Sequence, residues 1–390
     1  MKRILFTIIA LAINTNLSVP FFPLYATAFH LNSVIVTGLF VIYSICLLPV
    51  LLIAGPLGDV WGNKKVVYIG LGLAILSTIF FAEATNISLL YLARALAGMA
   101  SGAFMGTGTA LLLQHSSQNQ TAHALTLSSI VTMLGFGLGP AISGIIIQYS
   151  PLSPVKIPYQ SMFIALSISM LLLASIRERR ESTGNRRLFQ ISMGVPSSHR
   201  TLFWAFAAPS VFTAFALNGT VLALMPTFVR SVMHSTNFAV PGILLFILLS
   251  GGALAQLIPL PGDAIRRIQA RVLLLLAGTW CMLMAGTLIN SALLWLGKGI
   301  QAVGCGWTFQ GSMKLTGSMA PVSERARLLS IFYIAAYSGM ILPTLGVGIL
   351  SFYWGLMPAL LTFGAIVTSI GIVIVLNSIR LRMVTQAMKR

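Results

Sequence analysis

Leu89-Leu90-Tyr91-Leu92-Ala93-Arg94-Ala95 has a counterpart 204 positions later in the chain, Leu293-Leu294-Trp295-Leu296-Gly297-Lys298-Gly299. The same offset aligns further pairs along the chain: Asn14 with Asn218, His30 with His234, Gly58-Asp59 with Gly262-Asp263, Gly102 with Gly306, and Gly144 with Gly348. One offset that serves so many separate segments indicates two halves that repeat a single structural unit.

The composition indicates that both halves lie in a lipid bilayer. Of the 390 residues, 57% are hydrophobic and 8% are charged, whereas a soluble domain averages about 25% charged residues. Apolar stretches long enough to cross ~30 Å of hydrocarbon predict membrane helices. Twelve are predicted, at residues 4–29, 34–54, 66–83, 88–112, 122–149 and 159–176 in the first half, and 201–229, 238–259, 271–289, 292–314, 327–350 and 355–377 in the second.

The predicted fold is therefore an all-α membrane protein with twelve transmembrane helices in two pseudo-symmetric six-helix halves. Residues 1–176 form the N-terminal half, 177–200 a basic cytoplasmic linker, 201–377 the C-terminal half and 378–390 a cytoplasmic tail. Parallel repeats of this kind are related by an axis along the membrane normal.

The basic residues indicate how the chain is oriented. Nineteen of the 24 Lys and Arg lie at the termini or in alternate loops between the apolar spans. By the positive-inside rule, this predicts a multi-pass protein of the plasma (inner) membrane with both termini in the cytoplasm. Although the net charge is +18, its distribution over separate loops excludes a nucleic-acid-binding face. The three cysteines lack the spacing of a disulfide framework or zinc site, so we expect no metal and no cofactor. We also expect the protein to be a monomer.

A glycine-rich segment follows the second span: Gly55-Pro56-Leu57-Gly58-Asp59-Val60-Trp61-Gly62-Asn63-Lys64-Lys65. It resembles the loop signature of the major facilitator superfamily, which implies the major facilitator fold. In that family the signature latches one half against the other, a gating role that the resemblance assigns to Gly55, Gly58, Asp59 and Gly62. Val60 and Asn63 stand where family members usually carry arginine.

The fifth span contains Gly135-Phe136-Gly137-Leu138-Gly139-Pro140-Ala141-Ile142-Ser143-Gly144. This segment resembles the motif of the family's exporter branches, especially the twelve-span drug:proton antiporters. Small residues allow close helix contact and the proline kinks the span, so Gly135, Gly139, Pro140 and Gly144 are predicted to act in gating. The resemblance implies a proton-coupled exporter.

Arg94 and Lys298 occupy matching positions in the fourth and tenth spans. A charged side chain at this depth costs roughly 2.5–3.5 kcal/mol on insertion scales. Two interpretations stay open: both side chains snorkel to the outer interface, or the missing negative charge arrives with the substrate. The second interpretation predicts an anionic or carboxylate-bearing cargo, such as an acidic metallophore or metabolite.

Further candidates for substrate binding are polar and aromatic residues of spans one, four, seven and ten, which line the cavity in the family: Asn14, Asn16, Phe21, Tyr25, Phe104, Asn218, Gln301 and Trp307. No carboxylate lies within the first or fourth span, where proton antiporters of this branch commonly keep one. The sequence therefore assigns no proton-coupling residue.

The sequence favours secondary active export of a small organic solute by alternating access. The alternative is an uptake permease of the same fold for an anionic nutrient or metabolite. An intramembrane enzyme or receptor is disfavoured, because no catalytic motif is present. The expected partners are the solute, protons as coupling ion and the lipid bilayer.

Overall fold

The computed structural model describes residues 1–150, 155–176, 194–195, 200–258, 264–319 and 325–387. Within these ranges the regular structure is entirely helical. The helices of the first half are α1 Lys2–Asn16, α2 Phe22–Ala28, α3 Ser33–Trp61, α4 Asn63–Ala82, α5 Ile87–Gln114, α6 Thr121–Tyr149 and α7 Lys156–Ala174. Those of the second half are α8 Arg200–Leu202, α9 Ala208–Ser231, α10 Ala239–Phe246, α11 Gly252–Ala255, α12 Ala264–Leu288, α13 Ser291–Ser318, α14 Arg325–Trp354 and α15 Leu356–Ala387.

All twelve predicted spans are helical. Ten helices of the described chain are long and apolar enough to cross a membrane. The other two are the eighth span, a shorter apolar helix over Ala239–Ala255, and α13, which has 28 residues. The chain is thus an integral, multi-pass membrane protein.

The chain forms two compact units. Unit 1 consists of residues 1–31, 38–191 and 237–246, and unit 2 consists of residues 32–37, 192–236 and 247–390. Two short segments therefore belong to a unit other than the predicted half in which they lie: 32–37, at the start of α3, and 237–246, which contains α10. Most of the predicted linker at 177–200 lies outside the described residues.

Local geometry follows the repeat seen in the sequence. His30 and His234 both adopt the left-handed backbone conformation, with φ of 52° and 51°. Asn86 and Asn290, also 204 positions apart, each accept a hydrogen bond on the side-chain oxygen from the backbone N–H three residues on, at 3.0 and 3.1 Å. These are N-caps of α5 and α13, so the same start signal places Arg94 and Lys298 two turns into equivalent helices.

The first span differs from the single helix predicted. It breaks after Asn16, passes through a 3₁₀ turn at Val19–Phe21 and continues as α2. Pro20 and Pro23 supply no backbone N–H, and each lies at the start of a helical segment, where that donor would have no partner within the helix.

The glycine-rich segment after the second span also differs from prediction. Gly55 to Trp61 continue the helix α3, and α4 begins at Asn63, so that Gly62 alone connects the two helices. Gly62 has a φ of 95°, a conformation that a residue with a β-carbon rarely adopts. The turn is therefore a single residue rather than a loop.

Two spans of the second half contain π-helical turns. One, Phe203–Ala207, joins α8 to α9, and the other, Ile247–Gly251, joins α10 to α11. The final helix, α15, runs to Ala387 and includes most of the predicted tail. Hydropathy underestimates its length, because a helix can continue past the hydrocarbon.

Candidate functional site

The two cations inside the predicted spans are completely buried. Arg94 and Lys298 both have no exposed surface, and each lies about 12 Å along its helix from the N-cap, at 1.5 Å per residue. Neither side chain snorkels to an interface. Of the two interpretations left open by the sequence, the first is therefore wrong.

Arg94 lies in a cage of aromatic rings in unit 1. Its guanidinium carbon is 4.7 Å from the ring centre of Tyr43, 5.5 Å from that of Phe22 and 5.6 Å from that of Phe40. Contacts of this kind contribute about 0.5–1 kcal/mol each at exposed sites and more where water is excluded. The cage partly offsets the cost of burying the charge.

The donors of Arg94 are only partly satisfied. Nε donates to the Leu39 carbonyl at 3.0 Å, and Nη1 donates to the Ser18 hydroxyl at 3.3 Å. Nη2 has no hydrogen-bond partner among the described residues. One nitrogen of a fixed cation is therefore available to an acceptor that the described chain does not supply.

Lys298 is held by a short polar relay in unit 2. Its Nζ donates to Gln301 Oε1 at 2.6 Å, and Gln301 Nε2 donates to the Thr279 hydroxyl at 3.3 Å. Gln301, a predicted binding residue, is itself fully buried. The relay orients Lys298 but brings it no negative charge.

No described carboxylate neutralises either cation. Among the described residues, the single ion pair joins Lys156 to Glu83 at 3.1 Å, and both side chains are largely exposed. Asp59 is also exposed. Within the described part of the chain, the charge of Arg94 is thus compensated by aromatic rings and dipoles, and that of Lys298 by the side-chain dipole of Gln301.

Asn16 has a structural partner that explains its burial. Pro140 lacks the N–H that would bond the Phe136 carbonyl within α6, and Asn16 Nδ2 donates to that carbonyl at 3.2 Å. Asn14 is similarly engaged, since its Oδ1 accepts from the Thr78 hydroxyl at 3.0 Å. Neither contact tests whether these residues bind cargo.

The remaining predicted binding residues are dispersed over the two units. The Tyr25 hydroxyl is 2.9 Å from that of Tyr159, in a stack with Phe21. Trp307 Nε1 donates to the Ala255 carbonyl at 2.6 Å and so caps the end of α11. Asn218 keeps a buried Oδ1 with no partner among the described residues.

Phe104, the last of the predicted cavity residues, is buried in α5. Its ring makes an edge contact with Phe136 of α6, with ring centres 6.5 Å apart. This contact joins two helices inside unit 1 and leaves the proposed cavity role untested.

The predicted latch residues lie at the end of α3. A β-carbon on Gly58 would overlap the Asn63 side chain and approach Thr107 of α5 to 3.2 Å. Gly55 has open space around it. Asp59 is exposed and makes no hydrogen bond or ion pair with any residue that the structure describes, and its counterpart Asp263 lies outside those residues.

The glycine motif of α6 contacts two different helices of unit 1. A β-carbon on Gly135 would lie 3.2 Å from the Ile9 carbonyl, and one on Gly139 would overlap the Ile13 carbonyl, both in α1. A β-carbon on Gly144 would lie 2.6 Å from the carbonyl of Phe238, which precedes α10. Facing it, Gly242 of α10 lies directly against the Pro140 carbonyl. We call this contact the α6–α10 crossing.

Sequence reasoning missed the residues that surround the two cations. Ser18, Tyr43 and Thr279 lie on spans other than those of Arg94 and Lys298, and nothing in their spacing links them. A weak signal was available in Thr279, a polar residue in an apolar ninth span. The aromatic cage carried no comparable signal, because aromatic residues are common in membrane helices.

Comparison with known proteins identifies the relatives of this chain. The profile of the Major Facilitator Superfamily matches residues 4–297. The chain is 28% identical to the quinolone resistance protein NorA of Staphylococcus aureus over 168 residues, 43% of each chain. It is 26% identical to multidrug resistance protein 2 of Bacillus subtilis over 215 residues, 54% of each. The matched regions thus span about half the length of these relatives.

A solved structure extends the likeness to nearly the full chain. A bacterial homologue of the human lysosomal transporter Spinster, in an inward-facing and occupied conformation, superposes with a TM-score of 0.75 at 12% identity. The alignment covers 97% of this chain and 96% of that one. At 12% identity, this likeness shows a shared fold alone.

Proposed function

Because the chain belongs to the Major Facilitator Superfamily, we propose that it exports a small organic solute by alternating access, driven by a proton gradient. Members of such a family carry solutes, and the chain's relatives are transporters rather than enzymes. The relatives named for drug resistance support the outward direction.

The observation that carries the proposal is the double contact of α6. One helix touches α1 through Gly135 and Gly139, and touches α10 through Gly144. Contacts through glycine bring backbones close without interlocking side chains, and we propose that this contact separates and re-forms during transport. The α6–α10 crossing is our candidate for a gate that closes in one transport state and opens in the other.

The cargo that we propose carries a negative charge. The Nη2 of Arg94 has no hydrogen-bond partner among the described residues. The ammonium of Lys298 has three N–H donors, of which one donates to Gln301. A carboxylate or similar group on the solute would supply acceptors and charge together. Cationic dyes would meet repulsion from both residues.

Everted membrane vesicles that contain the full chain test direction and cargo together. With a proton gradient imposed, acidic inside, we expect uptake of an anionic fluorescent solute into the vesicles, and loss of that uptake with a protonophore. A cationic dye should accumulate at least about tenfold less. Vesicles without the protein provide the baseline.

An uptake permease of the same fold would give the reverse result. Everted vesicles would then release preloaded solute, and right-side-out vesicles would accumulate it. Accumulation of cationic dyes at the rate of anions would contradict the proposed cargo.

We further propose that the protein lies in the plasma membrane with both termini in the cytoplasm. The support is the distribution of basic residues in alternate loops. A reporter that is active only in the cytoplasm should be active when it is fused after Arg390. A reporter that is active only outside the cytoplasm should be inactive at the same position, and its activity there would contradict this orientation.

Asp59 is proposed to act in the latch that holds one half of the protein against the other. At equal membrane abundance, Asp59→Asn is expected to slow vesicle transport several-fold, because it removes the charge without changing the size of the side chain. The exposed Glu83, replaced by Gln, is a matched control that should transport normally. Unchanged transport by Asp59→Asn would remove the latch role.

A further inference from the structure

A cavity of about 250 Å³ lies entirely within unit 2, among the start of α9, the start of α12 and the end of α13. It is separate from Lys298, since Thr308, the first residue of α13 in its lining, is ten residues further along that helix, or about 15 Å at 1.5 Å per residue. The helix ends that form it are those that the loop charges predict to be cytoplasmic.

Three cations line this cavity: Arg267 and Arg271 from α12, and Lys314 from α13. The described lining contains no carboxylate. Like charges gathered around one space repel one another unless an anion lies between them. The arrangement therefore suits a negatively charged occupant.

Two polar atoms of the lining are buried and lack partners among the described residues. They are Nε of Arg271 and the hydroxyl of Thr308, whose residue is only 2% exposed. A buried polar group left unsatisfied costs about 1–3 kcal/mol. A bound anion with several acceptor oxygens would satisfy both.

The Arg271 guanidinium lies directly against Gly311 of α13. A β-carbon on Gly311 would overlap this guanidinium, so the side chain of Arg271 would have to move. Ser210 and Ser312, both buried, add hydroxyl groups to the lining. The cavity is therefore a built site and not a chance gap between exposed lysines.

We propose that this cavity binds the phosphate of an anionic head group, through Arg267, Arg271 and Lys314. Its volume of about 250 Å³ is slightly below the ~300–1,000 Å³ of sites for drug-sized ligands, which suits a head group. Basic pockets between membrane helices at the cytoplasmic face are suited to phospholipid head groups. A free phosphate-bearing solute has the same chemistry, and the experiment separates the two.

The test measures the thermal unfolding midpoint of the full chain, purified in a neutral detergent. Three probes are titrated: a short-chain phosphatidylglycerol, the matching phosphatidylcholine and inorganic phosphate. We expect phosphatidylglycerol to raise the midpoint saturably and phosphatidylcholine to leave it unchanged. The double variant Arg267→Gln/Arg271→Gln should weaken the apparent affinity for phosphatidylglycerol by at least about tenfold.

The matched control is Lys65→Gln/Arg200→Gln, which removes two exposed cations outside the cavity. It should titrate like the parent protein. If the double arginine variant fails to fold, Thr308→Val and Lys314→Gln singly remove one lining group each and should each weaken binding measurably.

The titrations distinguish a lipid from a free anion. A saturable rise of the midpoint with phosphatidylglycerol that the arginine variant weakens, with no effect of phosphate, supports a lipid site. A saturable rise with phosphate that the arginine variant weakens supports a site for a free anion. No saturable effect of either probe, or equal losses in the arginine and control variants, would overturn the proposal. The result is independent of transport direction and of cargo.

Discussion

Replacing Lys298 by methionine is expected to abolish transport of anionic solutes while raising the thermal stability of the solubilised protein. Methionine keeps the length of the side chain but removes a buried charge whose presence costs roughly 2.5–3.5 kcal/mol on insertion scales. A residue retained for structure would show a loss of stability instead. Opposite changes in transport and stability would thus identify Lys298 as a binding residue.

The measurement pairs vesicle transport of the anionic solute with the unfolding midpoint of the same preparation. Lys65→Met, which changes an exposed lysine, is the control and should alter neither. Arg94→Met is expected to lose transport but also stability, because two hydrogen bonds and the contacts with three rings disappear. Undiminished anion transport by the double variant Arg94→Met/Lys298→Met would show that these charges do not select the cargo.

Replacing Gly144 by leucine is expected to reduce transport at least about tenfold while leaving the protein inserted and folded. Even a β-carbon there would lie 2.6 Å from the Phe238 carbonyl, so α6 and α10 would have to move apart. If the α6–α10 crossing is a gate, the variant cannot close it. Gly242→Leu, on the opposite helix, should have the same effect.

Two glycines provide controls for this experiment. Gly346→Leu alters a glycine of α14 with open space around it, and should transport normally. Gly98→Ala places a β-carbon against the Tyr43 carbonyl, between α5 and α3, and should reduce folded protein as well as transport. A loss of folded protein by Gly144→Leu that matches Gly98→Ala would indicate a packing role and contradict the gate.

Hydropathy and the internal repeat were sufficient to predict the twelve helices, because both depend on composition over twenty or more residues. The matched N-caps at Asn86 and Asn290 show how far the repeat extends into local geometry. Pro20 and Pro23 indicated an interruption of the first span near Asn16, but a hydropathy window averages over such short interruptions. Helix ends such as Trp61 and Ala387 were missed for the same reason.

The candidate site was predicted less completely than the fold. Arg94 and Lys298 stood out, because a charge in an apolar span is rare. Their surroundings did not, since the hydroxyl of Ser18 and the ring of Tyr43 reach Arg94 from other spans through tertiary packing. The contact between Asn16 and the Phe136 carbonyl, which Pro140 leaves without its helical partner, joins residues 120 positions apart in the sequence. A single sequence offers no means of pairing them.

The one-residue turn at Gly62 has a mechanical consequence. Any change of angle between α3 and α4 must be absorbed by the backbone dihedrals of this one glycine and of the helix ends beside it, so we expect the two helices to move in a coupled way. The exposed Asp59 lies on the last turn of α3, three residues before Gly62. If Asp59 acts in the latch, we expect its engagement to be felt along α4, which has 20 residues and so extends about 30 Å at 1.5 Å per residue.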